Sequence, residues 1–232
     1  MKRSAVNAIL RRGKRFIEDQ HFHLPPFAYW SPDDWRERGA EVRGIVEVRL
    51  GWDVTDFGGG DFERSGLLLF TLRNGNPEDL KRGRGKLYAE KILVIEEDQV
   101  TPFHFHWDKT EDIINRGGGK LMLQVYNAAE DGELANADVS VSVDGIERVV
   151  PAGGTVALEP GESITVTSGL YHKFWAAEGP VLAGEVSLVN DDDADNRFYE
   201  ALGRFPQIEE DERPLHLLCT DYERYWNAGD AA

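Results

Sequence analysis

The sequence predicts an all-β fold, one barrel or sandwich of short strands with helices added at both ends. Three observations carry this. Short runs rich in β-branched and aromatic residues recur from residue 42 to residue 190, most with apolar and polar positions alternating. Turn signals separate them: Gly58-Gly59-Gly60, Asn74-Gly75, Gly117-Gly118-Gly119 and Asp144-Gly145. Helical periodicity is confined to the two ends, so the βαβ units of a parallel sheet are not expected.

The chain has 232 residues and 41% hydrophobic content, enough for one large β domain. It divides into an N-terminal helical extension (1–40), a β core (41–190) and a C-terminal extension packed on that core (191–232). Residues 4–20 read as an amphipathic helix capped by Ser4, with Val6, Ile9, Leu10, Gly13, Phe16 and Ile17 on one face. Arg11, Arg12, Lys14 and Arg15 on the other face suit solvent or an acidic neighbour better than a membrane surface. An extended stretch with Pro25 and Pro26 follows. Ser31-Pro32-Asp33-Asp34 then starts a short helix with a capping serine, an early proline and first-turn acids, ending near Gly39.

Strands are expected at 42–57, 65–75 and 87–100, with a polar loop at 76–86. The GRGK in that loop lacks the glycine spacing and the Ser/Thr of a phosphate loop. Further strands are expected at 121–128, 138–143, 146–151, 155–158, 162–168 and 181–190. Residues 190–205 carry an acidic run, read as a solvated cap, and then a helical turn. Residues 214–226 read as a strand and a short helix.

The stretch QVTPFHFHWDKTEDIINRGGGK, residues 99–120, holds the chemistry. Strand alternation turns His104 and His106 to one face and Phe103, Phe105 and Trp107 to the other. Two imidazoles about 7 Å apart can take adjacent corners of one metal ion. Glu111 follows after a bend that can return its carboxylate to that ion, and the three glycines read as a turn into the next strand. His172, beyond Gly169, can face the first pair from an antiparallel partner strand. The other His-x-His, His21 and His23, has no matching acid and runs into prolines, so local packing or capping suits it. Three imidazoles and a carboxylate suit Mn²⁺, Fe²⁺, Zn²⁺, Co²⁺ or Ni²⁺, and ligand type does not choose among them.

The formal net charge of −16 speaks against nucleic-acid binding and weakly against a phosphorylated ligand. A single cysteine, Cys219, excludes an intrachain disulfide and fits a reducing cytosol. No apolar run approaches the roughly 20 residues that span a bilayer, and residues 1–16 lack the apolar core of a signal peptide. A cytoplasmic protein with no membrane partner is the expectation.

His104-x-His106, four residues, Glu111, six residues, Gly118 resembles the first cupin motif. Pro160-Gly161-Glu162, alternating Ile164 and Val166, then Gly169-x-x-His172 resembles the second. Asp98 stands where the first motif usually has a leading glycine; Thr167 and Ala176 depart from the second. With FHFHWDKTEDIINRGGGKL and GEVSLVNDDDADNRFYE, the chain from Trp30 to Tyr222 is similar to one cupin family, the bacterial D-lyxose isomerases. The resemblance implies a cupin-type β-barrel, or jelly roll, and a homodimer. It also implies interconversion of D-lyxose with D-xylulose and of D-mannose with D-fructose, with Mn²⁺ the first choice of metal. A neutral sugar agrees with the acidic chain.

In such a reaction a divalent ion grips two neighbouring oxygens while a base moves a proton between carbons. His104, His106, Glu111 and His172 are assigned to the metal. Lys109 is the first acid/base candidate, since a nearby cation disfavours its ammonium form; it can instead pair with Asp108, Glu111 or Asp112. Lys91 is the second candidate and a substrate contact, or else an outward strand lysine. Glu185, Glu209 and Glu210 are candidates for a relay carboxylate: Glu209 is carried as catalytic, and Glu185, inward or paired, as a substrate contact. Trp107, Phe174 and Trp175 are a sugar-stacking wall or core. A cupin dioxygenase and a non-catalytic sugar-binding cupin are the rival readings.

Overall fold

The computed structural model describes residues 1–226. Eleven strands form one antiparallel system: β1 (Gly51–Thr55), β2 (Leu67–Arg73), β3 (Tyr88–Ile95), β4 (Val100–His106), β5 (Glu111–Asn127), β6 (Val139–Val143), β7 (Ile146–Val150), β8 (Thr155–Leu158), β9 (Ser163–Val166), β10 (Leu170–Leu188) and β11 (Asn196–Phe198). The main path runs β1-β2-β3-β10-β5-β9-β6-β7. β4 pairs with β10 and β11, and β8 pairs with β5. The architecture is the cupin-type barrel.

Two long strands close the barrel. The first half of β10 pairs with β4 and the second half of β5, whereas its second half pairs with β3 and the first half of β5. Gly117–Gly119 therefore do not turn the chain, as their sequence suggests. They bend one continuous strand, where β10 bends at Gly179 and Pro180 and the register slips. A β-carbon on Gly118, at φ +95°, would fall on the carbonyl oxygen of Pro180. The 181–190 strand is likewise the second half of β10 rather than a separate element.

Alternation along these strands decides what enters the barrel. Leu67 and Leu69 of β2, Leu93 and Ile95 of β3 and Val181 and Ala183 of β10 belong to the inner core. Lys91 and Glu185 continue those rows, so both charged side chains are carried into the interior. Leu68, Phe70, Ile92, Val94 and Leu182 face outward beneath Val6, Ile9, Leu10 and Ile17 of α1 (Arg3–Asp19). With both faces covered, β2 and β3 read as apolar runs rather than clean alternation.

The terminal segments depart from expectation in places. Ser4 does not cap α1; its backbone N–H and hydroxyl both donate to Asp211, a cap from the other end of the chain. Arg3 is buried between Glu210 and Asp221. α2 (Pro32–Arg36) has the expected capping box between Ser31 and Asp34. Residues 42–50 are not a strand. Arg43–Val46 form a helical turn, α3, whose Ile45 and Val46 pack toward Trp35, Leu217 and Tyr222. α4 (Pro77–Lys81) lies in the polar loop, β11 replaces the helical turn expected near 200, and the strand expected from 214 is one bridge between Leu218 and Trp52. α5 (Tyr222–Tyr225) is the expected short helix. Among the described residues no helix is long and apolar enough to cross a membrane.

Candidate active site

The three histidines meet because β4 and β10 pair in one register. His104 and His106 lie two residues apart on β4, and His172 of β10 is the cross-strand partner of His104. The ring centroids of His104 and His172 are 4.1 Å apart, and those of His106 and His172 5.6 Å. One nitrogen from each ring falls within 4.8 Å of the other two. The Nδ1–H of His104 donates to the carbonyl of Pro102 at 2.9 Å, and that of His172 to Leu170 at 3.0 Å. This tautomer leaves each Nε2 with a free lone pair. Burial, then the neighbouring His172 and His106, hold the His104 pKa well below its ordinary value, so its ring is neutral at pH 7. Asp98, where the motif usually has glycine, adopts φ +60°, the left-handed conformation that glycine supplies more easily.

Glu111 opens β5 directly below the rings. Its carboxylate lies 3.3 Å from Nε2 of His106 and 3.2 Å from Nε2 of His172. Nε2 of His106 and Nε2 of His172 are buried with no hydrogen-bond partner among the described residues. Buried polar atoms are rarely left so, and with the Glu111 carboxylate beside both they form a set of N and O donors suited to a divalent cation. The three histidines, with Glu111 against them, therefore fit a metal ion.

Beside this cluster runs a chain of alternating charge. Lys109, 3% exposed, lies 2.7 Å from Glu111 and donates to Glu185 at 2.9 Å. Glu185 meets Lys91, 4% exposed, at 3.2 Å, and Lys91 donates to Asn190 at 2.6 Å. Burial pushes the Lys109 pKa down, but the carboxylates of Glu111 and Glu185 outweigh it and raise the value above normal. The two carboxylates thus favour the ammonium form of Lys109. Glu185 turns inward, and Lys91 is interior rather than outward.

Lys109, Glu185 and Lys91 line a cleft walled by Leu67, Leu69, Leu93, Ile113, Phe174 and Phe198. Phe174 stacks parallel to His172, with centroids 6.5 Å apart. Trp107 and Glu209 are not brought to the cleft. Trp107 falls on the far side of β4, 54% exposed, against Phe105 and Arg197. Glu209 sits on the surface, its backbone paired with Met1 and Arg3. Trp175 is also outside, under Lys173.

Sequence reasoning missed Asp192, Asn196 and Arg204, which line the cleft. Asp192 belongs to the acidic run read as solvated. Burial would raise its pKa, but Arg204, Lys91 and Lys109 hold it far below the usual carboxylate range. Its neighbour Asp195 accepts the backbone N–H groups of Asp108 and Lys109 at 2.8 and 3.2 Å, fixing the loop that carries Lys109. The one signal was position: this run follows directly on the strand that carries Glu185.

The chain matches the D-lyxose isomerase family over residues 1–222. It is 51% identical over 228 residues to a D-lyxose/D-mannose isomerase of Serratia proteamaculans, covering 97% of this chain and 99% of that one. It is 47% identical over 228 residues to a D-lyxose/D-mannose isomerase of Escherichia coli O157:H7, covering 97% and 100%. Among solved structures, a mutant L-ribose isomerase of Acinetobacter sp. DL28 in complex with L-ribose is similar with a TM-score of 0.57 at 14% identity, over 90% and 98% of the two chains. That likeness is one of fold.

Proposed function

This chain belongs to the D-lyxose isomerase family, and from that premise we propose a metal-dependent aldose–ketose isomerase working through a cis-enediol. It interconverts D-lyxose with D-xylulose, and D-mannose with D-fructose. The observation that carries this reading is the pair of unpartnered nitrogens on His106 and His172, set against Glu111 and beside the Lys109–Glu185–Lys91 chain. His104, His106, Glu111 and His172 would hold the divalent ion, Mn²⁺ before Co²⁺, Ni²⁺, Fe²⁺ or Zn²⁺. Bound there, it supplies Lewis-acid polarisation of the carbonyl and the adjacent hydroxyl.

The rest is the work of the chain's own groups. Glu185 takes the proton from C2 of the aldose and returns it to C1. Lys109, held as an ammonium, gives a proton to O1 and recovers one from O2. Lys91 holds Glu185 in place and reaches the neighbouring hydroxyl. The apolar walls exclude water, which strengthens each of these interactions. A homodimer and a cytoplasmic setting belong to the same proposal.

The test strips the protein with chelator, restores Mn²⁺, and follows D-lyxose by proton NMR in D₂O. D-xylulose should appear with deuterium at C1, and His172→Ala should give none. Absence of conversion of D-lyxose or D-mannose with any of the five metals would overturn the isomerase reading. Oxygen uptake with Fe²⁺ alone would then point to dioxygenase chemistry.

A further inference from the structure

We propose that Arg204 and Asp192 form a subsite that reads the distal hydroxyls of an open-chain sugar, and so select among neutral aldoses. The proposal rests on the sugar-isomerase reading and extends it to the far end of the substrate.

Arg204 lines the same cleft as His104, His106 and Lys109, with its side chain 13% exposed. Its structural duties are accounted for by other atoms. Nη2 lies 2.6 Å from Asp53 and 3.5 Å from Asp192, and the backbone carbonyl accepts from Thr55. Nη1 is left over, buried and without a hydrogen-bond partner among the described residues. A charged donor left unpaired is costly, and such a group is kept where a ligand completes it. Asp192 stands beside it; its other oxygen lies 4.0 Å from Lys91 and accepts one long hydrogen bond, from Asn196 at 3.4 Å, which leaves that carboxylate oxygen a further lone pair. One unpartnered donor and one acceptor with spare capacity side by side match two neighbouring hydroxyls, one accepting and one donating.

The position suits the far end of the sugar. A run of charged groups leads away from the histidine cluster: Glu111 to Lys109 at 2.7 Å, Lys109 to Glu185 at 2.9 Å and Glu185 to Lys91 at 3.2 Å, with Asp192 4.0 Å from Lys91 and Arg204 3.5 Å from Asp192. The reacting carbons are held at the start of this run, so the remaining carbons extend along it. Phe198 packs on both His104 and Phe57 at 5.6 Å, giving the carbon chain one apolar wall. Asp53 and Asp192 neutralise the guanidinium, so the subsite offers no surplus positive charge to a phosphate. Its ligand is an uncharged polyol.

The experiment compares kcat/KM of the metal-loaded enzyme for D-lyxose and L-erythrose. L-Erythrose keeps the C2 and C3 configuration of D-lyxose and lacks its terminal hydroxymethyl group. Arg204→Met and Asp192→Asn should each lose roughly 10–100-fold on D-lyxose, mainly in KM, and under about 3-fold on L-erythrose. Equal losses on both sugars would reduce Arg204 to a loop anchor and overturn the proposal. Should Arg204→Met fail to fold, Asp192→Asn decides, because it leaves the Arg204–Asp53 pair in place. If the unaltered enzyme converts neither sugar, the isomerase reading has failed, and calorimetry still tests the subsite. D-Arabinitol, the reduced form of D-lyxose, should then bind more tightly than erythritol, and Asp192→Asn should abolish the difference. Equal binding of the two polyols overturns the subsite on its own.

Discussion

Replacing Glu185 by glutamine removes the base assigned to the carbon proton while leaving an oxygen for Lys91 and Lys109 to meet. We expect Glu185→Gln to lower kcat by about 10²–10⁴-fold, the usual worth of a positioned general base, with KM changed only a few-fold. Glu209→Gln should leave kcat within about 2-fold, since that side chain is exposed and outside the cleft. Steady-state kinetics on D-lyxose decide between them, and the reverse pattern would return the role to Glu209. The proposed metal residues were legible because their signal is local: His104 and His106 share a face by alternation, and Glu111 follows within one bend. His172 needed a guess about strand pairing, which the register with His104 supports. Asp192 and Arg204 were not legible. They sit on irregular chain after β10, where burial depends on the path of a loop and charge alone suggests solvent.

At the scale of elements, the barrel depends on bending β5 and β10 together. Gly118 is where that bend is tightest: φ is +95°, and a β-carbon would lie 2.1 Å from the Pro180 oxygen, a backbone atom that cannot rotate away. Gly118→Ala should therefore cost more than about 2 kcal/mol, combining strain with overlap. Gly44→Ala, in the helical turn α3 with open space around it, should be neutral or stabilising by up to about 1 kcal/mol. Urea unfolding measures both, and a Gly118→Ala protein as stable as the parent would refute this account of the bend. The same glycines show what local sequence reading misses. A Gly-Gly-Gly run signals a turn, yet here it permits close approach of two paired strands, a tertiary demand. Residues 42–50 fail for a related reason: their β-branched alternation suits a strand, but Ile45 and Val46 gain more by packing toward Trp35 and Leu217 as a helical turn. The short strands with one covered face obey their alternation, and there the expected and observed elements agree.

For the whole molecule, site and fold are one equilibrium. The histidine nitrogens converge only when β4 and β10 are paired, and Glu111 joins them only when β5 is seated against β10. An unfolded chain has no such arrangement, so the free energy of binding the proposed metal ion would add to the free energy of folding. The termini extend this coupling. The strands that carry the site lie in the same sheet as those under α1, and α1 is tied to the C-terminal segment through Arg3, Glu210 and Asp221. Unfolding should then be a single transition that responds to metal throughout, not a loosening confined to the cleft. At a metal concentration 100 times the dissociation constant, linkage gives about 2.7 kcal/mol. For a chain of this size that corresponds to a Tm shift of roughly 5–10 °C. We expect chelation to lower Tm by that amount as one cooperative step and Mn²⁺ to restore it. His172→Ala should melt at one temperature with or without chelator. A parent protein whose Tm ignores chelator would mean that the four residues bind no ion tightly, and the unpartnered nitrogens on His106 and His172 would need another explanation.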